Sequence, residues 1–186
     1  GAGAYLAVNP LPERVLAARR DRVAALLLER GLPAFGVDAM PWLLAGAKTL
    51  SYAVNMAALR HAAGKGAGDV IFVSSDGHIL EGPRSTVVIA TEGDGRRVCL
   101  LTPPPWYPIL RGTTQQALFD VARDKGYDCD YRALRPADLF AAQGVWLVSS
   151  ITLAARVHTI DGRLLMPPDL ATEMAELVDT AILSDR

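Results

Sequence analysis

The chain has 186 residues, of which 51% are hydrophobic and 21% charged, and its formal net charge is −1. This composition predicts a globular protein with one sizeable core and argues against a large basic surface for nucleic acid. No apolar run reaches the length of a membrane span, and the first residues lack the pattern of a secretory signal, so we expect a cytoplasmic protein.

The cysteines and histidines show no spacing that indicates a metal site or a disulfide framework. Cys99 and Cys129 are isolated in the sequence, which predicts reduced thiols in a reducing compartment. The three histidines are scattered, at His61, His78 and His158, and this argues against a zinc site.

The first part of the chain predicts three short segments. Residues 5–8 predict a short strand that ends at Asn9 and Pro10. Residues 13–22 are highly charged, which favours a solvated connector. The continuous apolar run over residues 23–28 predicts a buried strand.

The middle of the chain predicts one helix followed by strands and turns. Apolar residues recur at helical spacing in residues 49–63, and Gly64 is positioned to end that helix. Extended segments are expected at residues 69–73, 79–81, 86–90 and 97–102, with a turn at residues 75–78.

The last third predicts two helices among further strands. We expect one helix over residues 113–125, ended by Gly126, and an amphipathic closing helix over residues 169–183. Strands are expected at residues 128–131 and 145–150, with a hairpin of residues 157–160 and 163–165 around Asp161-Gly162. Because the strands meander rather than alternate with helices, the overall prediction is a mixed α+β fold.

Lys48 is the first candidate for chemistry. Its neighbours are apolar and it directly precedes the predicted helix. A lysine withdrawn from water in such a place supplies the nucleophilic amine that a Schiff base needs, whereas an isolated lysine is more often an exposed surface residue.

Glu81 is the second candidate, because it follows an extended segment and precedes Gly82-Pro83. A carboxylate there is suited to pair with a pyridinium nitrogen, which keeps the ring protonated and electron-withdrawing. The alternative is an ordinary carboxylate at the end of a turn.

Two hydroxyl-rich segments are candidates for holding a phosphate. Gly112, Thr113 and Thr114 begin a predicted helix, where backbone N–H groups bind anions. Ser149 and Ser150 end a predicted strand. The alternatives are a simple helix cap at the first segment and an ordinary turn at the second.

In this order, the segments resemble the cofactor motifs of the fold-type IV pyridoxal-phosphate enzymes, which include branched-chain aminotransferases, D-amino-acid aminotransferases and aminodeoxychorismate lyases. The resemblance covers about residues 22–165. It implies the C-terminal cofactor domain of the D-amino-acid aminotransferase-like fold, with an antiparallel-rich, barrel-like sheet and flanking helices. It also implies pyridoxal 5′-phosphate as the cofactor.

The resemblance implies roles for the residues around the cofactor ring. Lys48 is similar to the Schiff-base lysine, and Tyr52 to a tyrosine near the ring. Glu81 with Ser85 resembles the segment whose glutamate contacts the pyridine nitrogen, and Leu110 resembles the leucine that packs on the ring.

The resemblance also implies roles at the phosphate and substrate. Gly112, Thr113 and Thr114 are similar to a phosphate-binding turn, and Ser150 to a hydroxyl residue that binds the phosphate. Ser149 resembles its neighbour near the substrate carboxylate. Arg111 and Ile151 are candidates for substrate contact, and the alternative for Arg111 is an ordinary surface arginine.

The chain departs from the family pattern at three positions in or beside these segments. Thr86 stands where an asparagine usually follows the serine, Thr113 replaces an isoleucine, and Gln115 replaces an arginine.

A small N-terminal domain, which supplies an arginine to the phosphate, is a further implication of the resemblance. Only about 47 residues precede Lys48. We therefore expect residues 1–10 to be the last strand of that domain, residues 11–22 a linker and residues 23–186 the large cofactor domain. On this interpretation the chain is a truncated form that retains the cofactor weakly.

Three functions follow from the resemblance. We favour a lyase that converts 4-amino-4-deoxychorismate to 4-aminobenzoate and pyruvate in folate biosynthesis. The alternatives are an aminotransferase for branched-chain or D-amino acids and, in another class, a non-catalytic fragment. The resemblance also implies a homodimer and a small-molecule amine substrate.

Overall fold

The computed structural model describes residues 3–93 and 97–183. Over these residues the chain forms five α-helices and eight strands, together with two single-turn 3-10 helices, Val37–Ala39 and Pro41–Leu43. In chain order the elements are α1 (Glu13–Asp21), β1 (Val23–Glu29), α2 (Ala53–Gly64), β2 (Asp69–Val73), β3 (Thr86–Glu92), β4 (Val98–Thr102), α3 (Thr113–Asp124), β5 (Asp128–Tyr131), α4 (Pro136–Ala141), β6 (Gly144–Ser149), β7 (Leu153–Ile160), β8 (Arg163–Leu164) and α5 (Ala171–Leu183). None of these helices is both long and apolar enough to cross a membrane.

The strands form one mixed sheet in the order β2-β1-β7-β6-β3-β4-β5, with β8 paired to β7. The pairs β1–β2, β1–β7 and β4–β5 are parallel, and the other four pairs are antiparallel. Parallel neighbours need a crossover, which α2 supplies between β1 and β2 and α3 supplies between β4 and β5. The predicted mixed α+β fold with an antiparallel-rich sheet is confirmed.

Alternation of side chains along the strands sends apolar residues into cores on both faces of the sheet. On one face, Val87, Ile89 and Leu147 join residues of β1, β2 and β7 in one cluster. On the other face, Val88 and Trp146 pack beneath α3 and α5. A third cluster, beneath α2, covers the outer side of β1 and β2.

The structure corrects the predictions for the first 22 residues. Residues 5–8 form no strand, and Tyr5 is 96% exposed, because no partner strand lies beside this segment among the described residues. The charged segment, predicted to be a solvated connector, is mostly exposed but forms helix α1, which buries Val15. The proposed division at residues 10 and 22 into a remnant, a linker and a cofactor domain stays a prediction.

The helix expected from residue 49 begins later, at Ala53. Hydrogen bonds compete with the helix before that point: the Ser51 N–H donates to Thr49 Oγ1 and the Tyr52 N–H donates to the Leu50 carbonyl. Lys48 therefore lies in an irregular segment that precedes α2 rather than on a helix.

The strands and turns expected from residue 69 onwards are present, with ends that differ by a few residues from the predictions. Residues 79–81 are extended and pair back on β2, where the Phe72 N–H donates to the Glu81 carbonyl. The sequence analysis missed α4, whose first turn is held by the Arg135 N–H donating to Asp138 Oδ2 at 2.7 Å.

Candidate cofactor site

The candidate site is a cavity of about 630 Å³ at the point where four separate segments of the chain meet. Its walls come from residues 42–55, 81–86, 108–114 and 148–150, with Arg30 and Leu32 at one side. These segments follow or precede β1, α2, β3, α3 and β6, so the mixed topology of the sheet is what brings them together.

Most of the site residues predicted from the sequence line this one cavity: Lys48, Tyr52, Glu81, Ser85, Leu110, Arg111, Gly112, Thr113, Thr114, Ser149 and Ser150. Ile151 does not line it. Its side chain is exposed, and its carbonyl accepts a hydrogen bond from the Arg19 guanidinium outside the cavity wall. Ile151 thus lies apart from the other site residues, and its contact with the substrate stays a prediction.

The segment that carries Lys48 is fixed by a close approach of two loops. Gly46 has a φ of +77° and lies against residue 109, so that a Cβ at this position would come within 2.7 Å of the Ile109 carbonyl oxygen. Only glycine tolerates both conditions, and it allows the Lys48 loop to pack beside the loop that leads to Leu110. The Lys48 side chain itself is exposed, which corrects the expectation of a lysine withdrawn from water.

Glu81 has an environment that favours its neutral form. Burial raises the pKa of the Glu81 carboxyl to about 7, against the lowering effects of a hydrogen bond from Leu110 and of the charge of Arg30. The Leu110 N–H donates to Glu81 Oε2 at 3.0 Å. A cation such as a protonated ring nitrogen would favour the ionised carboxylate and form an ion pair with it.

The N-terminus of α3 opens into the cavity at residues 112–114. Gly112 is the N-cap, and no side chain caps the helix, so the first backbone N–H groups of α3 are left for another acceptor. Such a helix end favours an anion through its N–H groups and its dipole. The alternative of a simple threonine cap at Thr113 or Thr114 is therefore not what the structure has.

The two serines at the end of β6 have different surroundings. Ser149 Oγ accepts a hydrogen bond from the Thr152 N–H at 3.0 Å and lies 2.7 Å from Thr152 Oγ1, so it holds the turn after β6. Ser150 is exposed on the cavity wall. Ser150 is thus the better placed of the two to donate its hydroxyl to a ligand.

The charges on the cavity wall favour an anion. Four cationic side chains lie on it, those of Arg30, Lys48, Arg84 and Arg111, and Glu81 is the one acidic residue among the described lining residues. A ligand with a phosphate at one end and a basic ring nitrogen at the other matches this distribution. The α3 N-terminus suits the phosphate, and Glu81 suits the ring nitrogen.

Sequence reasoning missed three residues that shape the site. Asn55 on α2 donates from Nδ2 to the Pro83 carbonyl at 2.7 Å and so ties that helix to the turn after Glu81. Arg30 lies close enough to Glu81 to influence its pKa, and Thr152 fixes Ser149. Polar residues that act by holding a neighbouring loop carry no local signal in a single sequence.

Comparisons with known proteins identify the family of this chain. Residues 2–160 match the model of the family described as amino-transferase class IV. The bifunctional aminodeoxychorismate lyase / D-amino acid transaminase of Mycobacterium tuberculosis is 75% identical over 98% of this chain, and the chain spans 64% of that relative's length.

Solved structures give the same result. The PLP-bound form of a hypothetical aminotransferase from Mycobacterium tuberculosis superposes with a TM-score of 0.91 and 75% identity, over 96% of this chain and 61% of that one. A fold IV-transaminase from Curtobacterium pusillum superposes with a TM-score of 0.82 and 42% identity, over 91% of this chain and 56% of that one. The chain therefore belongs to the class IV aminotransferase family.

Proposed function

We propose that this chain binds pyridoxal 5′-phosphate and forms the cofactor-binding part of an aminodeoxychorismate lyase. The observation that supports this most directly is the gathering of Lys48, Glu81 and the uncapped N-terminus of α3 around one cavity with a cationic wall. The relative from Mycobacterium tuberculosis, which is both such a lyase and a D-amino acid transaminase, supports the choice of reaction. Its second activity makes D-amino acid transamination the second candidate.

The residues of the cavity fit this cofactor. Residues 112–114 and Ser150 would hold the phosphate, with the α3 N–H groups as donors. Glu81 would receive the ring nitrogen, while Leu110, whose N–H already orients the Glu81 carboxylate, would lie against the ring. When bound, the cofactor supplies a carbonyl group that bonds an amine and a ring that withdraws electrons from it.

Lys48 is the residue proposed to move the proton. Its Nζ would hold the cofactor covalently and, once an amine substrate has displaced it, would accept a proton from substrate carbon as a general base. Glu81 would remain ionised and keep the ring nitrogen protonated, so that the ring would withdraw the negative charge that develops on the substrate carbon. In the lyase reaction, the substrate would lose this proton and then expel pyruvate. The six-membered ring of the substrate would thereby become the aromatic ring of 4-aminobenzoate.

The attachment of the cofactor is tested by borohydride reduction of the chain in the presence of pyridoxal phosphate, followed by peptide mapping. We expect the label on Lys48 and none in Lys48→Ala. Lys65, an exposed lysine just beyond α2, provides the matched control, so Lys65→Ala should label as the wild type does. Absence of label at Lys48 would instead support the alternative of a non-catalytic fragment.

The reaction itself is tested by offering the enzyme 4-amino-4-deoxychorismate and, separately, D-alanine with 2-oxoglutarate. Release of 4-aminobenzoate supports the lyase, and formation of D-glutamate supports the transaminase. A variant that releases 4-aminobenzoate as fast without Lys48 would contradict the role proposed for that residue.

A homodimer in the cytoplasm, acting in folate biosynthesis, remains part of the same proposal. Exposed apolar side chains beside the cavity, Trp42, Leu44 and Leu50, are suited to an interface, since they are 73%, 61% and 101% exposed. Sedimentation equilibrium measures the mass of the assembly directly. A monomer at all concentrations would contradict the dimer while leaving the cofactor site unaffected.

A further inference from the structure

A second, smaller cavity of about 150 Å³ adjoins the candidate cofactor site. The two cavities share Thr86, Leu110, Arg111 and Gly112, so the turn that opens α3 is a wall between them. Gln115, Gln116 and Tyr131 line only the smaller cavity. None of the roles assigned to the cofactor site uses these three side chains.

Gln115 is the residue that marks this cavity as a binding site. Only 4% of its surface is exposed, and its Nε2 has no hydrogen-bond partner. A buried amide donor without an acceptor costs free energy, because the water it would bond in the unfolded chain is lost. The unpaired donor calls for an acceptor, and a ligand in the cavity that Gln115 lines would supply one.

The remaining wall of the small cavity favours a negative charge on that ligand. Arg111 is the one charged residue among the described lining residues, and no carboxylate lines the cavity. Arg111 Nε lies 3.4 Å from the carbonyl of Pro105, which also lines the small cavity, and this contact holds the guanidinium at its rim. Thr86 and Tyr131 add hydroxyl groups.

The size and the apolar part of the wall limit the ligand further. A cavity of about 150 Å³ accommodates a molecule of about six non-hydrogen atoms, as a buried cavity of that volume accommodates benzene. Pro103, Pro105 and Ile109 offer apolar contact to a short alkyl or acyl group. We infer that this cavity is a binding site for a small monocarboxylate, whose carboxylate accepts from Gln115 Nε2 and pairs with Arg111.

Titration of the chain with acetate and pyruvate tests this inference, with binding followed by ¹H–¹⁵N NMR of the glutamine side-chain amides. We expect saturable shifts of the Gln115 amide signals for both carboxylates. Gln115→Met keeps the length of the side chain and removes the donor, so affinity should fall by about tenfold or more. The matched substitution Gln143→Met, at an exposed glutamine outside both cavities, should leave affinity unchanged.

Two further measurements separate this site from other sources of binding. Saturating pyridoxal phosphate should change the affinity for acetate and pyruvate by no more than about twofold, because the cofactor would occupy the larger cavity. Acetone, a neutral molecule of similar size, should bind far more weakly than acetate.

The opposite results overturn the inference. Equal binding of acetone and acetate would remove the charge requirement, and competitive displacement by pyridoxal phosphate would assign the binding to the larger cavity. Unchanged affinity in Gln115→Met, with thermal unfolding showing an intact fold, would exclude the Gln115 amide as the donor. An absence of saturable carboxylate shifts would mean that the cavity holds only water.

Discussion

Burial and a hydrogen bond act on the Glu81 carboxyl in opposite directions, and burial is the stronger of the two. Its pKa rises from 4.5 to about 7, so between these pH values the folded chain keeps a proton that the unfolded chain has lost. The free energy of unfolding therefore falls as pH rises through this window. Below it both states are protonated, and above it both are ionised.

Glu81→Gln should remove this pH dependence, because glutamine keeps the size of the side chain but does not ionise. Relative to the wild type without cofactor, the variant should gain about 1–3 kcal/mol in free energy of unfolding between pH 4.5 and pH 7.5. Urea denaturation across this pH range measures the difference. Parallel curves for the two proteins would mean that Glu81 ionises normally.

Gly112 is a position where a single methyl group should disturb the candidate site. A Cβ there would lie 2.3 Å from Thr86 Oγ1, and the stiff threonine side chain cannot move away freely. Gly112→Ala should destabilise the fold by about 1–3 kcal/mol and weaken pyridoxal phosphate binding, as measured by denaturation and fluorescence titration.

Two further variants test this explanation. Adding Thr86→Ala to Gly112→Ala removes the oxygen that clashes and should restore much of the stability. Gly64→Ala on α2 meets no atom within 4 Å, so it should be neutral or stabilising by about 0.5–1 kcal/mol. If Gly64→Ala is as damaging as Gly112→Ala, the close contact at Gly112 is not the cause.

At the scale of elements, strong apolar patterns were sufficient to predict a helix or strand from the sequence, and weak apolar patterns were not. The continuous apolar runs of β1 and β6 predicted buried strands, and both are present. α1 buries only Val15, so its sequence carries too little apolar periodicity to indicate a helix. α4 is six residues long, and its N-cap is Arg135 rather than one of the residues that signal a helix start.

Helix α2 is joined to the site by one side chain. Asn55 Nδ2 donates to the Pro83 carbonyl at 2.7 Å in the turn that follows Glu81. Asn55→Ala should therefore lower the free energy of unfolding by about 1 kcal/mol and weaken cofactor binding, since the turn loses its anchor.

Asn9→Ala is the control for this prediction. Asn9 lies in the exposed segment before α1. The same substitution there should change neither the free energy of unfolding nor the affinity for the cofactor. Urea denaturation and a pyridoxal phosphate titration of both variants decide the matter. Equal behaviour of the two variants would show that the Asn55 bond is not what positions the turn.

Across the whole molecule, the order of the site residues was predictable and their exposure was not. Lys48, Glu81 and Gly112 are far apart in sequence, and they line one cavity because the sheet brings their segments to the same place. The apolar neighbours of Lys48 suggested burial, yet Lys48 and Leu50 are exposed. Exposure depends on which distant segments cover a loop, and a single sequence does not contain that information.

The junction between β1 and β7 joins the β1–β2 pair to the rest of the sheet, and the Asp161-Gly162 turn secures it. Both residues have positive φ, 49° and 79°, as the tight turn of this hairpin requires. Asp161 Oδ1 accepts the Leu27 N–H at 3.0 Å, and the Asp161 N–H donates to the Ala25 carbonyl at 3.1 Å. This turn thus fastens β1 to the end of β7 beyond the register shift after Val23.

Asp161→Ala should loosen this junction in two ways, because alanine lacks the acceptor and disfavours positive φ. We expect a loss of about 1–3 kcal/mol in the free energy of unfolding and faster amide hydrogen exchange at Leu27. Asn keeps an Oδ1 acceptor and tolerates positive φ, so Asp161→Asn should remain within about 0.5 kcal/mol of the wild type. If the amide of Leu27 exchanges no faster in the alanine variant than in the asparagine variant, β1 and β7 are held together by backbone pairing alone.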